Sequence, residues 1–375
     1  MSLTKVSYSM IDGAMFNVFD YGAVGDNTNN DTAAIQAAVD AAAAAGGGTV
    51  YFPVGLYKIT SSISIKLNVC LLGASGRASR LIQYTNSTSC LSFTRNNGIF
   101  NDITSLGFTV NAGVTGVTLL NIGSNAGIGG VGNINITSCN FNGGATAINI
   151  DAGYYINIYG CFFANQTAYG VRLVGDGGSN ANNIIGCNFN LITGYAVYIV
   201  RDSGGATFQV SVINNDFEAI TGDAIYCPQT GVYTFSSNYF EAVSGSEIVV
   251  PGAACVFGIG NYSADGATIL NFSSPPRGVF AASPITASGD VRVNLGGTVI
   301  TSSGNTQLDI TNSQGADQVW AAGTTGFVGR HFRSGTYFGL NPMLAAGALD
   351  NSIFVNSSDG KLYFKDGSGV DHALY

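Results

Sequence analysis

The chain has 375 residues, a net charge of −8 and a pI near 4.5, with only 10% of its residues charged. That balance weighs against nucleic acid or an anionic membrane surface as a partner. A content of Gly 52, with abundant Asn, Ser and Thr, suits many short strands joined by tight turns.

In chain order, residues 1 to about 15 form a short lead without repeats. Its start, Met1-Ser-Leu-Thr-Lys-Val-Ser-Tyr-Ser, lacks the basic-then-apolar layout of a secretory signal. No run along the chain approaches ~18 uninterrupted apolar residues, so no membrane-spanning helix is expected. Phe16 to Gly25 alternates apolar and polar residues as an edge strand would. Asp31 to Ala45 is the one convincing helix: Asp31 is placed to N-cap it, Ile35 and Val39 share a face, and Gly46-Gly-Gly48 stops it. Thr49-Val-Tyr-Phe-Pro and Tyr57-Lys-Ile-Thr then open a series of strands, and Leu71-Leu-Gly-Ala-Ser-Gly-Arg and Ile103-Thr-Ser-Leu-Gly-Phe108 read as early, less regular units of it.

A phrase then recurs five times, each copy ending in an aromatic: Ile134-Asn-Ile-Thr-Ser-Cys139-Asn-Phe141, Ile156 to Phe163, Asn183 to Phe189, Val212 to Phe217 and Tyr233 to Phe240. The closing Phe residues are 22, 26, 28 and 23 positions apart, and Gly260-Asn-Tyr262 is a weaker echo. A second phrase keeps step with it: Ala147-Ile-Asn-Ile, Gly170-Val-Arg-Leu, Ala196-Val-Tyr-Ile, Ala224-Ile-Tyr-Cys and Glu247-Ile-Val-Val. Two strand signals locked to one irregular period define a solenoid, and strands in place of helices make it a parallel β-helix. The period predicts roughly nine coils over about 49–272, with the helix at 31–45 covering the open N-terminal end. Cys139, Cys161 and Cys187 share one slot of successive coils and are expected as small buried side chains; disulfides are the alternative.

The repeat fades after about Phe272, and Ser273-Ser-Pro-Pro-Arg cannot continue a central ladder. From 273 to 375 short alternating strands with Gly, Asn and Asp turns predict a β-rich region, holding Trp320, that caps the solenoid and supports trimerisation.

Phe16-Asn-Val-Phe-Asp-Tyr-Gly-Ala-Val-Gly-Asp26, Asn30-Asp-Thr-Ala-Ala-Ile-Gln-Ala-Ala-Val39 and Gly46-Gly-Gly-Thr-Val-Tyr-Phe-Pro-Val-Gly-Leu-Tyr57 together resemble the N-terminal signature of the pectate-lyase-like family found in bacteriophage tailspikes and tail-associated polysaccharide depolymerases. Lys5 to Gly13 looks like the lead-in of such proteins, and Asp359 to Tyr375 more loosely resembles C-terminal segments of phage tail proteins. The resemblance implies a right-handed β-helix, a homotrimer, and recognition or cleavage of a bacterial surface polysaccharide such as capsule or lipopolysaccharide. It also implies a place in a virion tail beside other tail proteins, after synthesis in a host cytoplasm. The fold alone leaves lyase, hydrolase and non-catalytic binder open.

Hydrolysis of a glycan commonly uses two carboxyl groups, and the chain has three Glu. Glu218 and Glu241 each follow the Phe of their repeat, so they share a slot on adjacent coils, ~4.8 Å apart. With Phe217 and Phe240 inward, both Glu point outward. A tolerated solvent-facing turn residue is the alternative account. Asp223 opens the second strand of the Glu218 coil and is a third candidate acid; Asp216 is another, or a turn residue. Asn149, Arg172, Tyr198 and Tyr226 follow one another as outward positions of the second phrase, an arrangement suited to stacking on sugar rings and pairing with uronate carboxylates, or to packing against each other or a neighbouring subunit. Asp176 and Asp202 share a slot near Arg201 and read better as a surface ion pair than as a lyase site. There is no adjacent Asp-Asp with Gly-His-Gly, no Cys-x-x-Cys and no Gly-rich phosphate loop; His331 and His372 both follow the solenoid. No metal and no cofactor is expected.

Overall fold

The computed structural model describes residues 15–93, 101–123, 131–151, 153–174, 179–200, 208–228, 231–250 and 255–265, with shorter stretches beyond. By its internal contacts the chain forms two compact units, residues 1–301 and 302–375.

The first unit is a parallel β-solenoid. Three long sheets run along it, here called A, B and C, and every described pairing in them is parallel. Among the described residues nine coils each give one strand to each sheet. They run from Gly48–Phe52, Gly55–Ile59 and Ile63–Ile65 to Cys255–Ile259, Tyr262–Ser263 and Leu270–Asn271. The expected parallel β-helix therefore holds. The repeat has three strands and not two, because each aromatic phrase bends in the middle. In coil 4, Val131–Thr137 lies in sheet A and Asn140–Asn142 in sheet B, with Ser138 between them at φ 54°. Gly160, Gly186, Asn214, Ser237 and Gly260 hold the same left-handed bend in coils 5 to 9. Gly and Asn, which hold four of these six bends, are types that reach that conformation at little cost.

In coils 4 to 8 sheet B is only three residues wide, and its central residue faces inward. Phe108, Phe141, Phe163, Phe189, Phe217 and Phe240 consequently stack along the axis with centroids 4.5–5.1 Å apart and planes within 9°. Beside this column runs a second interior ladder, built at the residue after each bend. Cys139, Cys161 and Cys187 occupy it in coils 4 to 6 as free, buried thiols. Burial pushes the Cys161 thiol well up, and both a hydrogen bond with Cys161 and burial do the same for Cys187. Asn215, Asn238 and Asn261 continue the ladder. Each of the last two accepts from the backbone N–H and the side-chain amide of the residue one coil earlier, at 3.0–3.1 Å.

The N-terminal end is closed as expected. Helix α1 (Thr32–Ala44) turns Ile35, Ala38, Val39 and Ala42 inward. Its Gln36 accepts from Ser64 N (2.8 Å) and donates to Ser64 O (3.1 Å), so the helix satisfies the exposed edge of sheet C. Two details differ. Asp31 stands at the N-cap without a side-chain cap bond; its carboxylate accepts from Val24 N (2.7 Å) and Gly25 N (3.2 Å), while Asn30 Oδ1 accepts from Thr32 N. The expected edge strand at Phe16–Gly25 is a strand only at Phe16–Asn17, because Asn17 caps a single helical turn over Val18–Tyr21.

In the second unit Ser352–Asn356, Leu362–Lys365 and Asp371–Ala373 form an antiparallel sheet extended by Pro342–Met343. Trp320 lies outside the described residues.

Candidate functional site

The outward positions of sheet B flank the buried Phe column on each side. The column after Phe reads Asn142, Ala164, Asn190, Glu218 and Glu241 through coils 4 to 8. Glu218 pairs with Glu241 in register, and both are exposed while Phe217 and Phe240 are fully buried. Strand spacing places the backbones of the two residues ~4.8 Å apart on adjacent coils. Asn190 donates to Glu218 Oε2 at 2.7 Å, and the Tyr239 hydroxyl donates to Glu241 Oε2 at 2.9 Å, which raises the phenol's pKa.

The column before Phe reads Asn140, Phe162, Asn188, Asp216, Tyr239 and Tyr262. Asn188 donates to Asp216 Oδ2 at 2.6 Å. Tyr239 and Tyr262 are 38% and 60% exposed and stack on one another, with centroids 5.7 Å apart and planes 19° apart. Two exposed rings on a rigid sheet beside a row of carboxylates and amides are the components a sugar-binding strip needs. Sequence reasoning missed this platform: Tyr239 sits one residue before the repeat's Phe, and Tyr262 was read only as an echo of that Phe. In the structure Tyr262 aligns with Tyr239, and Ser263 takes the Phe position.

That replacement explains the third glutamate. Glu247 aligns with Ala224, an inward slot for small side chains, and is only 2% exposed. Its Oε1 accepts from Ser263 Oγ at 2.7 Å, so the carboxyl occupies the side where the Phe column stops.

The remaining sequence candidates lie on a different sheet. Arg172, Tyr198 and Tyr226 are outward and half-buried on sheet C, in one column with Asn149. Tyr198 and Tyr226 stack at 5.5 Å and 6°, and Tyr169 and Tyr195, also missed from sequence, interleave with them at 4.9–5.4 Å. The Arg172 guanidinium lies 5.9 Å from the Tyr169 ring and donates to Asn149 Oδ1 at 2.9 Å. Asp223 Oδ1 accepts from Ser246 N at 2.8 Å, tying the turn before sheet C to the next coil. It belongs electrostatically to the tyrosine group: burial, and then the Asp223 charge, raise the Tyr195 pKa. The structure thus brings Glu218 and Glu241 together, groups Arg172, Tyr198 and Tyr226 with Asp223, and puts the two sets on separate faces. Asp176, Arg201 and Asp202 lie outside the described residues. Among the described residues no group of three or more His, Cys, Asp or Glu is arranged to hold a metal ion.

Comparison with known proteins agrees with this architecture. The family model described as rhamnogalacturonase A/epimerase, pectate lyase-like, matches residues 15–221, more than half of the chain. A mannuronan C5-epimerase of Azotobacter vinelandii is 54% identical over 66 residues, covering 16% of this chain and 4% of the epimerase. An alginate lyase of the same organism is 50% identical over 66 residues, covering 16% and 8%. These segments span a small part of the relatives' own lengths. Among solved structures, the ORF18 protein of Geobacillus virus E2 superposes with a TM-score of 0.55 at 21% identity, over 96% of this chain and 86% of that one. That likeness is one of fold.

Proposed function

This chain belongs to the rhamnogalacturonase A/epimerase, pectate-lyase-like family, and on that premise we propose that it binds an extended bacterial surface polysaccharide and hydrolyses it on sheet B. The observation that carries this reading is the pairing of Glu218 with Glu241 beside the exposed Tyr239–Tyr262 platform. A glycan lying along the axis would stack a sugar on the tyrosines and bring the next linkage over the carboxylates. Glu218, oriented by the Asn190 amide, attacks the anomeric carbon as Glu241 protonates the departing oxygen; Glu241, now a carboxylate, then takes the proton of a water that attacks the anomeric carbon and frees Glu218 as a carboxylate.

The charge of the strip bears on the substrate. Asp216, Glu218 and Glu241 are acidic, and no Lys or Arg lies on the sheet B strands of coils 4 to 9. A polyuronate would meet like charges there, so a neutral or amino-sugar glycan fits better. A lyase reading draws on the matched segments of the alginate-acting relatives and on Arg172, which would place the reaction on sheet C. The setting we favour is a bacteriophage tail acting on capsule or lipopolysaccharide, in keeping with the N-terminal signature and a fold-mate from a Geobacillus virus.

The test is incubation with capsule and lipopolysaccharide from candidate hosts, following new reducing ends and the absorbance of unsaturated uronate. Reducing ends without that absorbance support hydrolysis, and their loss in Glu218→Gln places it on sheet B. Unsaturated product favours a lyase, and binding without either signal favours a receptor-binding spike.

A further inference from the structure

In coil 2 the corner between sheets A and B has five residues, 74–78, against two in coils 3 to 9. It folds along the axis over its neighbours. A Cβ placed on Gly107 of coil 3 would collide with Gly76 O and lie 2.7 Å from Arg80 Cγ, so Arg80 runs up sheet B over a glycine that leaves it room. A Cβ on Gly76 would in turn lie 3.0 Å from Ser138 O of coil 4. Arg77 reaches further still, with its guanidinium carbon 5.9 Å from the centre of the Phe162 ring on coil 5. The corner is pinned from inside. Ser79 is fully buried, accepts from Ala74 N at 3.1 Å and lies 2.9 Å from both Phe52 O and Pro53 O.

Neither cation is neutralised by the chain, although its net charge is −8. Among the described residues neither guanidinium is paired with a carboxylate, and the Arg80 Nε–H is buried without an acceptor. A buried donor left unpaired is a cost that a bound acceptor removes.

We propose that Arg77, Arg80 and Phe162 form a subsite for one carboxylate or phosphate group carried by the glycan. The inference rests on the sheet B reading and adds the class of sugar that sheet takes. The column before Phe runs from Arg80 through Gly107, Asn140, Phe162 and Asn188 to Asp216, so cations and acids share one strip. Phe162 stands two coils before Glu218, ~10 Å along the axis at ~4.8 Å per coil. The anionic group therefore belongs to a sugar outside the pair joined at the reacting bond. A guanidinium holds carboxylate or phosphate through paired N–H donors, and the Phe162 ring offers an apolar edge to the sugar bearing it. A polyuronate is repelled by the acidic half of the strip, and a neutral glycan leaves the arginine half unmatched. A repeat with one acidic group satisfies both.

Calorimetric titration of the full chain carrying Glu218→Gln tests it. The probes are capsule and lipopolysaccharide from candidate hosts, each native, carboxyl-reduced, or treated with hydrofluoric acid to remove phosphate. A glycan that binds should do so roughly tenfold more weakly after one of the two treatments, which identifies the anion. Arg77→Gln and Arg80→Gln should each weaken the native glycan by a similar factor and leave the neutralised one unchanged. Arg77 is exposed, so its variant serves if Arg80→Gln does not fold. Lys58→Gln, on coil 1, should change neither affinity. Equal affinity for native and neutralised glycan, or arginine variants that bind as their parent does, overturns the subsite, while reducing ends released by the wild-type chain leave the hydrolysis reading standing. Equal weakening by Lys58→Gln shows diffuse attraction and also overturns it. Neither binding nor reducing ends across the panel overturns both readings.

Discussion

Asn238→Ala probes the link between the buried ladder and the candidate site. Asn238 accepts from Asn215 N and Asn215 Nδ2, both at 3.0 Å, and donates to Val212 O at 2.9 Å and Asn261 Oδ1 at 3.0 Å. It is 1% exposed and Asn215 is 2% exposed, so water cannot replace these partners without opening the coil. At about 1 kcal/mol net per hydrogen bond, with a buried N–H left unpaired, the loss should be about 3–5 kcal/mol. Asn238→Cys should recover about 1–2 kcal/mol, because in the same slot Cys187 Sγ accepts from Cys161 N at 3.4 Å. A solenoid responds locally, so the assay is hydrogen exchange over coils 7 to 9 together with thermal unfolding. Asn215 and Asn238 directly precede Asp216 and Tyr239, so the ladder also fixes how sheet B presents its acids. Asn238→Ala should therefore lower cleavage at temperatures where the chain remains folded. Equal stabilities for the Ala and Cys variants, or a loss below about 1 kcal/mol, would refute this reasoning.

On a cleavable glycan, Glu218→Gln and Glu241→Gln should each lower kcat by orders of magnitude with the fold intact, and near wild-type activity in both removes the pair from catalysis. Tyr262→Ala should weaken glycan binding by about 1 kcal/mol, roughly fivefold in Kd by calorimetry, while Tyr226→Ala on sheet C leaves it unchanged. Phe189→Ala takes a fully buried ring from between Phe163 and Phe217 and should cost about 3–5 kcal/mol in thermal or denaturant unfolding. Burial holds the Asp31 carboxyl above its ordinary value of 3.8, against the pull of the Val24 and Gly25 N–H groups. Its titration therefore favours the fold fully below 3.8, and that contribution is lost as pH rises through the raised value. Asp31→Ala should destabilise by about 1–3 kcal/mol, with a gap to wild type that narrows from acid to neutral pH in denaturant titrations.

The solenoid was legible because its period is written in large side chains. The closing Phe of each repeat, Phe141, Phe163, Phe189, Phe217 and Phe240, faces the axis, and an axial column tolerates no slip without creating a void. The bend inside each phrase was less legible, although its signal was present. Ser138, Gly160, Gly186, Asn214 and Ser237 are all turn formers placed just before the Cys or Asn slot. The bend after sheet B was legible only in coils 4 and 5, where Gly143 and Asn165 hold it. Leu191, Ala219 and Ala242 hold φ near +55°, a conformation that neither Leu nor Ala prefers, so the stacked coils impose it.

The candidate site divides along the same line. Register within one sheet follows from the repeat, so the neighbouring positions of Glu218 and Glu241 could be read directly from the spacing. Whether Asp223 or Tyr226 joins them depends on the angle between sheets B and C, which the turn after Glu218 sets and the period does not encode. Tyr262 shows the converse. A change of one residue type at the column's end, Ser263 for Phe, moved the aromatic from the interior to the surface and drew Glu247 inward. Restoring the column with Ser263→Phe would crowd the Glu247 carboxyl out of its hydrogen bond with Ser263. The double change Ser263→Phe with Glu247→Ala should therefore be more stable than either single change, as a double-mutant cycle in thermal unfolding would measure. Additive effects would show that the two positions fill separate spaces.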